Sequence, residues 1–170
     1  MSMVLTEGAL TFTFAPEAKA SKYDDWSFYR NQFQQGCAKD NKAVDLLCEL
    51  NCNAWLIEVK DYRAQARTKP IDLADEVAIK VRDTLAGLLA ASLRANDSTE
   101  HALAARIVQA RQMRVVCHIE QPARASRLRP RAIEPDKLKH KLRSLLKAID
   151  PHPIVTDSNR HDPALPWTVA

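Results

Sequence analysis

The chain has 170 residues, a formal net charge of +4, 46% hydrophobic and 27% charged residues. Those values suit one ordinary globular core, large enough to cover a sheet on both faces and too short for two comfortable domains. No run approaches the roughly 20 consecutive apolar residues of a membrane helix, and the opening MSMVLTEGAL lacks the basic-then-apolar order of a secretory leader. The expected setting is the cytoplasm, with no membrane partner and a single domain over residues 1–170. Cys37, Cys48, Cys52 and Cys117 do not form the paired knuckles of a structural zinc site and are expected to be free thiols, with Cys48 and Cys117 as small buried apolar groups.

Taken in chain order, Leu10-Thr11-Phe12-Thr13-Phe14 alternates cleanly and predicts a strand ended by Pro16. Residues 21 to 33, SKYDDWSFYRNQF, space Trp26, Phe28, Tyr29 and Phe33 for a short helix whose aromatics pack in the core. Lys42 to Leu50 predicts a second strand, and Asn51-Cys52-Asn53 is a turn leading into AWLIEVKDYR, residues 54 to 63. In that stretch Ile57 and Val59 share one face and Glu58 and Lys60 the other. An even loop closing on Leu50 and Asn53 would put Asp45 on the same face as Glu58 and Lys60.

Behind Pro70, Leu73, Val77, Val81, Leu85, Leu88 and Leu89 recur at helical spacing with Asp72 as N-cap. A shorter helix is expected from Ser98 to about Gln109. Met113 to Ile119 reads as a buried strand, Asp136 to Ile149 as a helix, and Pro153 to Thr156 as a short edge strand. Helices mixed with an antiparallel hairpin predict an α/β three-layer sandwich with a central mixed β-sheet flanked by helices. Trp167 could pack back on the fold or mediate association.

Charge is unevenly placed. Between Ala123 and Lys147 nine basic residues stand against Glu134 and Asp136, leaving the remainder slightly acidic. Such a segment is either a solvated loop and helix face or the footprint of a polyanion. Asp45, Glu58 and Lys60 form the chemically richest grouping. Two carboxylates offer the hard oxygens Mg²⁺ prefers, and a neighbouring ammonium could orient a water or stabilise phosphoryl oxygens. Arg63 could clamp a phosphate or simply end the strand, and His118 is more simply a hydrogen-bonded sheet histidine.

Val44-Asp45 on one strand, a short turn and Ile57-Glu58-Val59-Lys60 on the next resemble the PD-(D/E)xK phosphodiesterase superfamily, the restriction-endonuclease-like proteins. Val44 stands where the family's name has proline. The resemblance covers about residues 9 to 120 and leaves a basic loop, helix and tail over about 121–170. It implies a restriction-endonuclease-like core with Asp45, Glu58 and Lys60 as catalytic residues, Asp45 and Glu58 holding Mg²⁺ (or Mn²⁺ as a substitute), and Asp24 or Asp25 as an accessory acid. It also implies a metal-dependent nuclease, a hydrolase cleaving nucleic-acid backbones, for which DNA is expected ahead of RNA as the partner, in repair, recombination or defence. Arg63, Arg124, Arg127, Arg129 and Arg131 would contact the nucleic acid, and the chain would act as a homodimer or in a larger nuclease complex. The alternative is a nucleic-acid-binding or structural protein on the same fold that does no chemistry.

Overall fold

Asn51 and Cys52 adopt positive φ values of 51° and 61°, the paired left-handed geometry of a tight hairpin turn. They join strand β4 (Leu46–Leu50) to strand β5 (Asn53–Asp61), with Leu50 opposite Asn53 and Leu46 opposite Ile57. The structure, a computed structural model, describes residues 2–122 and 133–170. Arg124, Arg127, Arg129 and Arg131 lie outside the described residues.

The remaining elements are β1 (Val4–Glu7), β2 (Leu10–Phe14), β3 (Lys19–Lys22), α1 (Leu73–Arg94), α2 (Ser98–Val108), β6 (Gln112–Glu120), α3 (Pro135–Leu145), β7 (Ile154–Thr156) and β8 (Trp167–Val169). β3-β4-β5-β6-β7 form one mixed sheet, antiparallel from β3 to β5 and parallel from β5 to β7. A parallel neighbour cannot be reached by a hairpin, so α1 and α2 carry the chain from β5 to β6, and α3 lies between β6 and β7.

Strand alternation divides the interior in two. Leu47, Ala54, Leu56, Val115, Cys117 and Ile119 face the helices and meet Val77, Val81, Leu88, Ile107 and Leu142. Leu46, Cys48, Ile57, Val59 and Val116 face the other way, onto Phe12, Phe14 and Trp167. These last belong to a small antiparallel sheet of order β1-β2-β8. The chain is therefore α/β with a mixed five-stranded sheet, but among the described residues helices cover one face only. The expectation of flanking helices is corrected: a second sheet supplies the opposite layer, and Trp167 closes it against Phe14 and Trp55.

Two local expectations also change. Residues 21–33 are not one helix. Lys19–Lys22 pair with Leu46–Glu49 as an edge strand, followed by a 3₁₀ turn at Tyr23–Asp25 and a π-helical turn at Tyr29–Phe33. The aromatics are buried, so their spacing reports packing rather than one continuous helix. The strand expected from Lys42 begins only at Leu46, because α1 takes the backbone donors before it: Lys42 N–H donates to Asp83 (2.9 Å) and Val44 N–H to the Thr84 hydroxyl (3.0 Å). α1 is as its spacing implied, with Asp72 accepting from the Ala74 N–H at 2.8 Å.

Candidate functional site

The hairpin register, carried one pair beyond Leu46 and Ile57, sets Asp45 beside Glu58 on the helix-facing side of the sheet. The Asp45 N–H donates to the Ile57 carbonyl (3.2 Å), and its Oδ2 accepts from the Val59 N–H (2.6 Å). These two bonds clamp the carboxylate across the strand pair. Glu58 is fully buried. Its Oε1 receives Lys60 Nζ at 2.5 Å and Lys80 Nζ at 2.6 Å, whereas Oε2 has no hydrogen-bond partner. Lys80 Nζ also stands 3.6 Å from Asp45 Oδ1.

A second group of charges adjoins the first. Glu76, on the first turn of α1, lies 3.5 Å from Lys60 Nζ and 2.7 Å from both Lys69 Nζ and an Arg67 guanidinium nitrogen. Burial opposes ionisation of Glu76, but hydrogen bonds from Lys69 and Arg67 outweigh it and hold the carboxyl at about 2. Glu58 behaves oppositely. Burial, then the Asp45 charge, push it up to about 7 against the pull of the two lysines. For Lys60 burial acts downward, yet the Glu58 charge and hydrogen bond raise it above the ordinary lysine value. Glu58 can thus take up or release a proton near neutral pH beside a lysine that stays charged.

Asp24, Asp45 and Lys80, with Tyr29, Arg30 and Lys42, line an opening of about 320 Å³. Burial first, then the Glu7 and Asp45 charges, raise Asp24 to about 6, and its Oδ1 is buried without a partner. Of the two candidate accessory acids the geometry brings Asp24 to Asp45; Asp25 pairs with Arg30 and lies 3.7 Å from Lys22. Arg63, just past the end of β5, forks onto Asp61 (2.9 and 2.6 Å), so its guanidinium is already engaged. His118 lies on the opposite sheet face, buried, 2.8 Å from Glu120 and edge-on to Phe12.

Sequence reasoning missed Lys80 and Glu76. The available signal was their four-residue spacing on α1, alongside the apolar stripe of Leu73, Val77, Val81 and Leu88. Among the described residues no group of three or more His, Cys, Asp or Glu side chains is arranged to hold a metal ion. The Mg²⁺ expected between Asp45 and Glu58 meets a donor set whose shared position is taken by the Lys80 ammonium, with Asp45 Oδ2 committed to a backbone N–H. As folded, the pair does not fit a resident divalent ion.

No family model matches the chain, and no solved structure matches it. It is similar to a cysteine–tRNA ligase of Neisseria meningitidis serogroup A, 30% identical over an alignment 206 residues long that takes in 98% of the chain. The chain spans 29% of that relative's length. This similarity overturns the expectation of a metal-dependent nuclease, and with it the description as a hydrolase of phosphodiester bonds: the likeness is to part of a protein named as a cysteine–tRNA ligase. No helix of the described residues is long and apolar enough to cross a membrane.

Proposed function

We propose that this chain is a tRNA-binding domain serving an aminoacyl-tRNA synthetase-related function. One observation carries the proposal: 98% of the chain aligns with a segment of a protein whose name makes tRNA its substrate. A segment aligned over its whole length supports one folded unit used in both settings.

Charge layout supports the same conclusion. Leu138, Leu142 and Leu146 bury one side of α3 and its C-terminal end, while Lys137, Lys139, Arg143 and Lys147 are exposed. This helix follows the arginines at 124, 127, 129 and 131 in sequence, so one continuous segment holds most of the excess positive charge. Phosphate contacts from such a segment supply affinity by releasing counterions, and the folded shape and 2′-hydroxyls of tRNA are what would distinguish it from duplex DNA. In this proposal RNA takes the place of DNA as the expected partner. The core is taken as a restriction-endonuclease-like scaffold, supported by the antiparallel β3-β4-β5 order, the long helix after it and the parallel β6.

The test is fluorescence anisotropy of labelled tRNA against the wild type and a Lys137→Glu/Arg143→Glu/Lys147→Glu variant, over a range of salt. The expected result is saturable binding whose affinity falls with salt, and a salt slope smaller by about one for each phosphate that the variant leaves unneutralised. Unchanged affinity in the folded variant would remove α3 from the interface, and no tRNA binding by the wild type would end the proposal.

A further inference from the structure

The five-stranded sheet ends at β3, and the register fixes which backbone groups of that strand face outward. The β4–β5 turn closes on Leu50 and Asn53, so alternation turns the backbone of Leu46, Cys48 and Leu50 toward β5 and that of Leu47 and Glu49 toward β3. Across β3 and β4, Lys19 is opposite Glu49 and Ser21 opposite Leu47, and the Tyr23 N–H donates to the Asp45 carbonyl at 3.0 Å. The N–H and C=O groups of Ala20 and Lys22 therefore point away from β4, to a side on which no strand of the described residues pairs with them. Unpaired edge groups of this kind are a template for another strand.

That edge is recessed: Ala20 is only 6% exposed although its strand is outermost. A cavity of about 830 Å³ runs along it, bounded by Leu5 of β1 on one side and by Leu103 and Arg106 of α2 on the other. The flat sheet edge of a second copy would meet β1 and α2 before it reached β3, whereas a lone extended segment would not. We infer that this groove takes an extended, acidic segment of another protein, which pairs with the Ala20 and Lys22 backbone, sets alternate apolar side chains against Leu5 and Leu103, and brings a carboxylate to Lys19 and Arg106. The inference stands apart from tRNA binding.

Charge selects the acidic occupant. Arg106 Nε lies 2.6 Å from Glu49, and Lys19, opposite Glu49 in the register, is exposed and makes no ion pair among the described residues. The acids of the groove are already committed. Asp25 pairs with Arg30 and Lys22, Asp97 accepts from the Thr99 N–H, and the two Glu100 oxygens accept from the N–H groups of Ser27 and Phe28. The charge left over in the groove is positive, and an acidic segment complements it.

A phage-displayed library of random dodecapeptides, selected on the immobilised wild-type chain, supplies the probes. Fluorescence anisotropy then compares the selected peptides on the wild type, Lys22→Pro, Lys22→Ala and Lys19→Glu, with circular dichroism to confirm folding. Lys22 has φ of −80°, so proline fits the strand and deletes the outward N–H, whereas alanine deletes the side chain alone. Acidic peptides are expected, binding Lys22→Pro roughly tenfold more weakly than the wild type and Lys22→Ala within about twofold of it. Lys19→Glu should weaken them by roughly threefold or more. In the wild type, amide hydrogen exchange at Ala20 and Lys22 should slow when peptide is added, a readout that needs no variant. No enriched peptide, a preference for basic peptides, equal losses in Lys22→Pro and Lys22→Ala, or unchanged exchange at both amides would overturn the inference. Sedimentation that shows a wild-type dimer dissociated by Lys22→Pro but not by Lys22→Ala would also overturn it, because the edge would then hold a second copy.

Discussion

Replacing Glu58 by Gln is expected to stabilise the fold above neutral pH, although the change deletes two close ion pairs. Burial and the Asp45 charge put the folded-state value at about 7 against an ordinary 4.5. Between those values the folded chain binds more protons at this position than the unfolded chain. The contribution of Glu58 to stability is therefore present at low pH and is lost as pH rises through about 7. Gln imitates the protonated acid at every pH. At about 1.4 kcal/mol for each pH unit between the two values, the gain at pH 8 has a ceiling of about 3 kcal/mol, shrinking to about 1 kcal/mol or less at pH 5. Equilibrium urea denaturation of both proteins at the two pH values, with unchanged slopes, measures the difference. A variant about 2 kcal/mol less stable than the wild type at pH 8 would refute the reasoning, because attraction to Lys60 and Lys80 would then exceed the cost of burying the charge.

Thr84→Val keeps the side-chain volume but leaves the buried Val44 N–H without its acceptor; a loss of about 1–3 kcal/mol is expected in the same denaturation assay. Gly87→Ala would bring a methyl carbon to 2.0 Å from the Tyr23 hydroxyl and 3.2 Å from the Phe33 ring, so a cost of about 1–3 kcal/mol from overpacking should appear as a lowered melting temperature. Asp72→Ala removes the acceptor for the Ala74 N–H at the start of α1, and about 1 kcal/mol of stability should be lost on denaturation.

The parts legible in the sequence are those governed by local rules. α1 shows its apolar stripe and its Asp72 cap in consecutive residues, and the Asn51-Cys52 turn sets a register that carries Asp45 to Glu58. Where tertiary partners decide, local rules fail. Lys19–Lys22 are a strand because Leu46–Glu49 lie beside them, and the following aromatics have near-helical spacing while sitting in two unlike turns. β8 exists because Trp167–Val169 pair with Phe12–Phe14 from the other end of the chain. β1 escapes sequence reasoning for a different reason: its hairpin turns at Gly8, with φ of 57°, and a single glycine is a weak turn signal. At the candidate site, strand alternation is enough to group Asp45, Glu58 and Lys60. Lys80 belongs to the group through the packing of α1 on the sheet, which no strand pattern encodes.

The most direct measurement is equilibrium competition between tRNA and duplex DNA of equal length for the wild-type chain at about 0.15 M salt, the ionic strength at which weak phosphate contacts are already screened. A role in aminoacyl-tRNA synthetase-related function predicts that tRNA displaces the duplex and is not displaced by it. Preferential retention of the DNA duplex, or failure to hold either, would contradict it.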